Sequence, residues 1–284
     1  MRPTFLTLAC LGSLSAAAAM PALAAPEWTQ PIKPFRIYGN TYYVGSRGLS
    51  AVLVTSPQGH VLVDATMPEN ASMVEANIRA LGFRPSDVKA ILNSHAHVDH
   101  AGAIAQVAHD TGATVYASAL GAKSLALGGQ DPDDPQYHPG KGYSQVLATV
   151  VGDGEHLKVG SVDIQARATP GHTPGSTSWT WRSCQDGKCV DIVYADSLTA
   201  ITNGTYRYTD APAHPHRVED FRKSIATVAG LPCDILVTTH PDASDVLERA
   251  ASGKLEDPGA CKALAARAVK GLDEELAKEA AATR

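Results

Sequence analysis

Three histidines and one aspartate stand close together in the segment 95–100, which reads His-Ala-His-Val-Asp-His. Neutral imidazoles and carboxylates are the ligands that zinc takes in hydrolytic sites. His95 and His97 are two residues apart and can bind one ion, while Asp99 and His100 can turn toward a second. A polar turn with solvated histidines is the alternative, but this composition just after a buried apolar strand is rare by chance. We therefore predict a metal site here.

Two more histidines fit this site by their placement. His172 lies in the Pro- and Gly-rich turn 169–176, and His240 follows a predicted strand. Either alone could be an ordinary surface residue, but each repeats the strand-end placement of the first cluster, where a site between two sheets would gather its ligands. The other six histidines lack this placement. His214 and His216 could lie near the cleft, and neither is assigned to it.

Strand-like and helix-like segments that alternate along the chain must position these residues. Apolar and polar residues alternate from 34 to 64 as in an antiparallel meander, and apolar residues recur on one face at helical spacing over 70–81 and 102–111. The other predicted elements are strands at 89–93, 114–117, 145–151, 156–159, 162–168, 176–181, 190–194 and 234–238, and helices at 218–229 and 260–280. The segment 128–143 is rich in Gly, Pro and Asp without periodicity, which is typical of a functional surface loop.

The order of these elements predicts the fold class. The second half of the chain echoes the first, and no linker divides it into two domains. We predict an α/β chain of the α+β type, an αββα sandwich in which two mixed β-sheets pack face to face and helices cover both outer faces. Residues 25–284 would form this single domain.

Residues 1–24 have the features of a signal peptide. Arg2 precedes an apolar run from 5 to 19, and 22–24 reads Ala-Leu-Ala, which a signal peptidase accepts. The apolar run is shorter than the roughly 20 residues that a bilayer span needs. We therefore expect a cleaved leader and a periplasmic protein without a membrane anchor. A net charge of −5 and no Lys/Arg cluster argue against a nucleic-acid partner.

Four of the five cysteines remain after the expected cleavage, at positions 184, 189, 233 and 261. An even number in an exported chain makes two disulfides plausible. Cys184 and Cys189 flank a turn-like Gln-Asp-Gly-Lys sequence, so we expect them to pair across a hairpin, which leaves Cys233 with Cys261. Three pairings are formally possible. A zinc–thiolate site is the competing interpretation, but the close CxxC spacing is absent.

The His-x-His-x-Asp-His segment, the glycine-framed histidine and the strand-end histidine together resemble the ligand set of the metallo-β-lactamase superfamily. The resemblance covers nearly all of the mature chain, and it implies the fold of that superfamily and two zinc ions per chain. The implied ligands of the first zinc are His95, His97 and His172. The implied ligands of the second zinc are Asp99, His100 and His240.

The segment 194–199, Tyr-Ala-Asp-Ser-Leu-Thr, indicates the subclass. Subclasses B1 and B2 place a cysteine ligand where this chain has Ser197. With a histidine at position 95 rather than Asn or Gln, the chain looks like subclass B3. The sequences around Cys233 and Cys261, with their expected disulfide, and the segment 218–224 are also similar to that subclass.

The resemblance implies a secreted zinc-dependent β-lactamase that gives antibiotic resistance by hydrolysing penicillins, cephalosporins and carbapenems. Zinc-bound hydroxide would attack the lactam carbonyl, and Asp99 would orient it. Hydroxyls of Ser197 and Thr199 would bind the carboxylate of the substrate, and Gln136 in the 128–143 loop could contact the substrate. A monomer is the default expectation.

Two other functions stay open at this point. One is a different zinc hydrolase on the same fold, a lactonase or a thioesterase, since the zinc motif alone does not identify a substrate. In thioesterase relatives an aspartate near Asp196 bridges both metals, and such a role would weaken the β-lactamase interpretation. Expected export favours β-lactams, because glutathione thioesters are intracellular. The other function is a non-catalytic zinc-binding periplasmic protein.

Overall fold

Two β-sheets face each other in residues 25–282, the part of the chain that the computed structural model describes. The expected signal peptide at 1–24 lies outside these residues. Helices cover the outer face of each sheet, so the predicted αββα sandwich is confirmed. No helix among the described residues is long and apolar enough to cross a membrane.

The first sheet has seven strands that pair in chain order. The first four are antiparallel, as the meander predicted, and the next three pairings are parallel. The strands are β1 (Phe35–Tyr38), β2 (Thr41–Tyr43), β3 (Val52–Ser56), β4 (Gly59–Val63), β5 (Val88–Leu92), β6 (Thr114–Ala117) and β7 (Thr149–Val150).

The second sheet has five strands in the order β12-β11-β10-β9-β8. Only the pairing of β11 with β12 is parallel. The strands are β8 (His156–Val159), β9 (Val162–Ala168), β10 (Thr177–Gln185), β11 (Lys188–Ala195) and β12 (Ile235–Thr238). β10 and β11 are longer than predicted, because the hairpin closes with a two-residue turn in which Asp186 and Gly187 both have positive φ and which keeps the strands in register.

Seven α-helices lie outside the sheets within residues 25–282. They are α1 (Ala71–Ala80), α2 (Val98–Ala101), α3 (Ile104–Thr111), α4 (Ala119–Ala126), α5 (Arg217–Gly230), α6 (Val246–Ser252) and α7 (Ala260–Ala282). The predicted helices correspond to α1, α3, α5 and α7, with bounds within two residues. Periodicity missed α2 and α6, which span only four and seven residues, and α4, whose sequence Ala-Leu-Gly-Ala-Lys-Ser-Leu-Ala mixes small and apolar residues without a clear polar face.

Large aromatic side chains fill the space between the sheets. Trp179 of β10 and Tyr43 of β2 are fully buried in this layer. The indole of Trp179 donates to the Asn93 carbonyl (3.3 Å), and that of Trp181 donates to Thr41 Oγ1 across the interface (2.9 Å). Buried indoles need such partners. These bonds therefore fix how the two sheets face each other.

The predicted strand at 145–151 is wrong in extent. Only Thr149–Val150 pairs with the sheet, as β7. Leu147 is 88% exposed and Val150 is 55% exposed. Val146 and Val151 are buried against the two cores, so the apolar residues of this segment reflect packing as well as strand pairing, and residues 145–148 do not pair with the sheet.

Two disulfides join the cysteine pairs that the spacing favoured. Cys184 and Cys189 face each other across the β10–β11 hairpin. Cys233 and Cys261 connect the segment before β12 to the first turn of α7. The first closes a separation of 5 residues and the second a separation of 28. The second bridge therefore restricts the unfolded chain more.

We predict that C233A/C261A lowers the free energy of unfolding by about 3–4 kcal/mol, and that C184A/C189A lowers it by about 2 kcal/mol or less. The hairpin bridge closes a separation of only 5 residues, so its removal increases the conformational entropy of the unfolded chain less. Urea unfolding of both double variants and of the wild type, in zinc-loaded form, measures the difference. An equal loss from both variants would contradict this ranking.

Candidate metal centre

The candidate ligands lie at one end of the sandwich, where strands of both sheets end. The segment 95–100 follows β5, His172 follows β9 and His240 follows β12. β9 and β12 point the same way, because β9 and β11 are each antiparallel to β10 and β12 is parallel to β11. Thr177 N donates to Ser94 O (2.8 Å) and joins the sheets at this end. The strand ends therefore gather these side chains in one place.

The side chains of the 95–100 segment point in two directions, because the short helix α2 begins within it. His97 is still extended, with φ −76° and ψ 152°, and α2 begins at the next residue. Alternate residues of an extended chain point to one side, whereas helical residues turn away from it. His95 and His97 therefore face one group of ligands, and Asp99 and His100 face another.

Three histidines form the first group. The ligand nitrogens of His95, His97 and His172 lie within 4.8 Å of one another, and the ring centroids are 4.6 to 4.9 Å apart. Nε2 of His95 is buried and has no hydrogen-bond partner. Leaving a buried nitrogen unpaired is costly, and three convergent neutral imidazoles are suited to binding a metal ion.

The outer nitrogens of His97 and His172 are held by other groups. Asp134 places both carboxylate oxygens 3.0 Å from Nε2 of His97. The Thr199 carbonyl accepts from Nδ1 of His172 (2.8 Å), and the Thr199 hydroxyl lies 3.0 Å from the same nitrogen. Partners of this kind fix the tautomer and the ring orientation of metal-binding histidines. They leave Nδ1 of His97 and Nε2 of His172 for an ion.

A carboxylate and two imidazoles form the second group. Asp99 Oδ2 lies 3.2 Å from His100 Nε2 and 3.4 Å from His240 Nε2, and the two nitrogens are 3.2 Å apart. A tetrahedral zinc with bonds of about 2.0–2.1 Å separates its ligand atoms by roughly 3.3 Å. The three atoms therefore have the spacing that one zinc ion requires. His95 also lies within 4.8 Å of Asp99 and His100, so the two groups adjoin.

Burial keeps most of these ligands in the form that binds metal. It lowers the pKa of His95 and His100, and lowers the pKa of His172 to about 3. Burial raises the pKa of Asp99, but the electrostatic interaction and hydrogen bond with His100 outweigh it and hold the pKa of Asp99 well below its usual value. Burial likewise opposes a charge on His97, whose pKa is nevertheless raised by the adjacent carboxylate of Asp134.

Asp196 contacts the outer nitrogen of a candidate ligand. Its Oδ1 lies 2.6 Å from Nδ1 of His95, and both side chains are fully buried. The backbone nitrogen of Asp196 donates to Ser178 Oγ (3.0 Å). The other carboxylate oxygen is buried without a hydrogen bond, and burial raises the pKa of this carboxyl. In this arrangement Asp196 orients His95 and leaves Nε2 of that ring for the ion.

The three residues expected to bind substrate, Gln136, Ser197 and Thr199, make different contacts with the candidate ligands and their neighbours. Nε2 of Gln136 is 3.3 Å from Nε2 of His172, the nitrogen that would bind an ion. Ser197 Oγ lies 2.8 Å from Thr239 Oγ1, beside His240 in the chain. The hydroxyl of Thr199 is instead directed to the outer nitrogen of His172.

The two unassigned histidines contact residues outside both ligand groups. His214 stacks on Tyr206 with the ring centroids 4.2 Å apart. His216 is exposed and pairs with Glu219 at the start of α5 (2.7 Å). Neither histidine has a recorded hydrogen bond or ring contact with the six candidate ligands.

Sequence reasoning missed two of the carboxylates that support this centre, Asp134 and Asp64. Asp134 is one of several aspartates in an aperiodic loop, and only its contact with His97 distinguishes it. Asp64 follows β4 with φ 56°, a conformation that few residues other than glycine adopt. A positive φ cannot be deduced from one sequence, so no signal identified Asp64.

Asp64 holds the end of β5 in place. Its Oδ1 accepts from the Ser94 backbone nitrogen (2.8 Å) and from Asn93 Nδ2 (3.2 Å), and its Oδ2 accepts from Ser94 Oγ (2.5 Å) and the Tyr194 hydroxyl (2.9 Å). Burial raises the pKa of Asp64 to about 7. Three of these contacts come from Asn93 and Ser94, immediately before His95, and with the contact from Tyr194 they connect β4, β5 and β11 beneath the centre.

Two glycines explain why His172 lies in a glycine-rich turn. A Cβ at Gly171 would lie 2.3 Å from the ring of Phe221 in α5. A Cβ at Gly175 would lie 2.2 Å from the backbone nitrogen of Gly121 in α4. Neither position has space for a side chain, so both glycines are required for the turn to pack between α4 and α5.

A cleft of about 820 Å³ lies at the opposite end of the sandwich. His60, Phe83, Arg84 and Arg182 are among the residues that line it, and none of the six candidate ligands does. A single histidine does not make a metal site. The candidate metal centre therefore lies at the end of the sandwich where β5, β9 and β12 end, and not in this cleft.

Comparisons with known proteins identify the family of the chain. The model of the metallo-beta-lactamase superfamily matches residues 45–240. N-acyl homoserine lactonase AttM of Agrobacterium fabrum is 31% identical over 157 residues, which are 51% of this chain and 56% of that protein. Three curated relatives, two of them N-acyl homoserine lactonases and one a hydroxyacylglutathione hydrolase of Anaeromyxobacter dehalogenans, are matched over only 52–64% of their length.

Solved structures match over a larger share of both chains. MEM-A1, a subclass B3 metallo-beta-lactamase isolated from a soil metagenome library, is 49% identical with a TM-score of 0.87, covering 89% of this chain and 99% of its own. The Rm3 metallo-beta-lactamase is 48% identical with a TM-score of 0.86, covering 89% and 97%. The chain is therefore similar to these proteins over almost all of their length.

We predict that D64A lowers the free energy of unfolding by about 3–5 kcal/mol, because the donors on Ser94 and Asn93 lose their buried acceptor. D64N should lose about 1 kcal/mol or less. Its amide oxygen can accept from both nitrogens, and its NH2 can donate to the two hydroxyls. Chemical unfolding of both variants tests this, and an equal loss for D64N and D64A would mean that the four contacts do not stabilise the fold.

Proposed function

Because the chain belongs to the metallo-β-lactamase superfamily, we propose that it is a zinc-dependent β-lactamase of subclass B3 that is exported to the periplasm. The observation that carries the proposal is the similarity to B3 enzymes at 48–49% identity over 97–99% of their length. The lactonase match covers only about half of either protein. Ser197, which stands where two subclasses place a cysteine ligand, supports the same assignment.

The donor sets fit two zinc ions. His95, His97 and His172 would hold one ion, and Asp99, His100 and His240 would hold the other. Bound there, zinc would supply Lewis acidity and lower the pKa of a coordinated water. Three protein ligands per ion are the number found in catalytic zinc sites, where a position is kept for water or substrate.

The residues of this chain have separable roles in lactam hydrolysis. The carboxylate of Asp99 stays ionised and can orient the attacking water or accept its proton. Asp196 and Asp134 hold the imidazole rings in place from outside. His240 has 31% of its side chain exposed and His97 has 18% exposed. The substrate would therefore approach from the side that these two rings border.

Ser197 is suited to binding the carboxylate that β-lactams carry. Its hydroxyl lies 2.8 Å from that of Thr239, which precedes the ligand His240. Since Thr239 Oγ1 can accept or donate, the Ser197 proton can turn to an incoming carboxylate. Gln136, whose amide reaches His172 Nε2, would contact the substrate on the opposite side, near the first metal position.

A lactonase is the second candidate, because AttM is 31% identical over 157 residues. The contact of Asp196 with the outer nitrogen of His95 argues against a bridging metal ligand at this position. Comparing the turnover of imipenem, a cephalosporin and an N-acyl homoserine lactone by one preparation separates the two candidates. Turnover of the lactone alone would refute the β-lactamase assignment.

We predict imipenem and cephalosporin hydrolysis that a chelator abolishes and zinc restores. H172A should lower kcat/KM at least about 10³-fold, because the first metal position loses one of three ligands. H156A is the matched control. His156 is exposed on the edge strand β8 and pairs with Asp163 rather than with a candidate ligand, so this variant should behave as the wild type. Equal activity of H172A and H156A would contradict the assigned centre.

A second prediction concerns Ser197. S197A should raise KM for imipenem about 5- to 10-fold with a smaller change in kcat, because one hydrogen bond to the substrate carboxylate is worth about 1–1.5 kcal/mol. S161A, at an exposed serine remote from the centre, controls for loss of a hydroxyl. Steady-state kinetics measures both parameters. An unchanged KM would remove Ser197 from the substrate site.

A further inference from the structure

The 128–143 loop contacts the ligand frame of the first metal position at three points. Asp134 binds Nε2 of His97, Gln136 lies 3.3 Å from Nε2 of His172, and the Tyr143 hydroxyl donates to the Ala96 carbonyl (2.7 Å). No hydrogen bond or ion pair among the described residues connects this loop to the second group of ligands. The loop is therefore linked to one metal position and not to the other.

Asp134 is held firmly from the side away from the metal position. Its Oδ1 accepts from the Gln136 backbone nitrogen (2.7 Å), and its own nitrogen donates to the Asp131 carbonyl (3.0 Å). The Asp131 carboxylate accepts from Ser124 Oγ (2.9 Å) and Lys123 Nζ (3.0 Å), both on α4. A chain of contacts thus runs from α4 through Asp134 to His97.

A second loop, which includes residues 199–203, is hydrogen-bonded to the 128–143 loop. Asn203 donates its backbone nitrogen to the Pro135 carbonyl (2.7 Å) and its Nδ2 to the Tyr137 carbonyl (3.0 Å). The carbonyl of Thr199, at the start of the same loop, accepts from His172. Both loops are consequently anchored to histidines of the first metal position.

We propose that Asp134 is a positioning residue that couples occupancy of the first metal position to the ordering of the loop that carries Gln136. The part of this proposal in which Gln136 faces the substrate rests on the proposed function. Asp134 fixes His97 with Nδ1 free for the ion, and the same carboxylate holds the Gln136 backbone. An ion bound by His97 therefore stabilises the loop conformation, and by linkage the ordered loop raises the affinity for the ion.

The first test measures zinc affinity by competition with a chromophoric chelator, using D134A with D133A as the matched control. Asp133 is the neighbouring carboxylate, and it pairs with Lys123 at an exposed position. D134A should bind the first zinc about 10- to 100-fold more weakly and the second within about threefold of the wild type. D133A should bind both as the wild type does. Equal binding by D134A and D133A would overturn the proposal.

The conservative variant separates positioning from general loosening of the loop. D134N keeps an oxygen that can accept from His97 and should recover most of the zinc affinity that D134A loses. In Co²⁺-substituted protein, the visible absorption bands report ligand geometry, and those of the first ion should change in D134A far more than in D134N. Identical spectra for D134A and the wild type would show that Asp134 does not orient His97.

Hydrogen exchange followed by mass spectrometry tests the coupling to the loop. In the wild type, added zinc should slow amide exchange about tenfold or more in peptides covering 131–143. In D134A this slowing should be lost there while it persists in peptides covering the second ligand group. Equal zinc-induced slowing of 131–143 in both proteins would refute the coupling. None of these measurements uses β-lactam turnover, so inactivity toward lactams would refute the proposed function alone.

Discussion

The structure depends on the burial of several imidazole rings and carboxylates in one small space. Uncompensated, such a cluster destabilises a fold, because polar nitrogens lose water without gaining a partner. Here the outer nitrogens of three rings are each bound by a carboxylate or a carbonyl, from Asp196, Asp134 and Thr199. The inner atoms are thereby left converging on two points. In His95, His97 and His172, one ring nitrogen contacts a protein acceptor and the other is left for a metal ion.

The fold follows from where this cluster has to be assembled. Strands of both sheets end at the same edge of the sandwich, so short segments after β5, β9 and β12 suffice to bring the candidate ligands together. Asp64 strengthens this edge by joining β4, β5 and β11 with four hydrogen bonds. The longer loops, 128–143 and the segment around Asn203, then close one side of the centre. The candidate ligands are positioned by the ends of rigid strands, and the loops supply the residues that surround them.

The sequence predicted the elements with strong periodicity, and it singled out candidate ligands at strand ends that the structure brings together. It missed α2, although this single turn directs Asp99 and His100 toward His240, because four residues show no helical repeat. It overestimated the strand before β7, where apolar residues are exposed at an edge. Asp134 and Asp64 could not be identified, since each acts through contacts made by residues distant in the chain. Ligand types are visible in a sequence, whereas the partners that orient them depend on tertiary structure.

The most direct test of this account is a crystal structure of the zinc-loaded protein with an anomalous difference map at the zinc edge. We expect two peaks, one bounded by nitrogens of His95, His97 and His172, and one by Asp99, His100 and His240. Asp196 should remain on Nδ1 of His95, with neither oxygen bound to zinc. A single peak, or an oxygen of Asp196 bridging two peaks, would contradict both the division of ligands and the β-lactamase assignment.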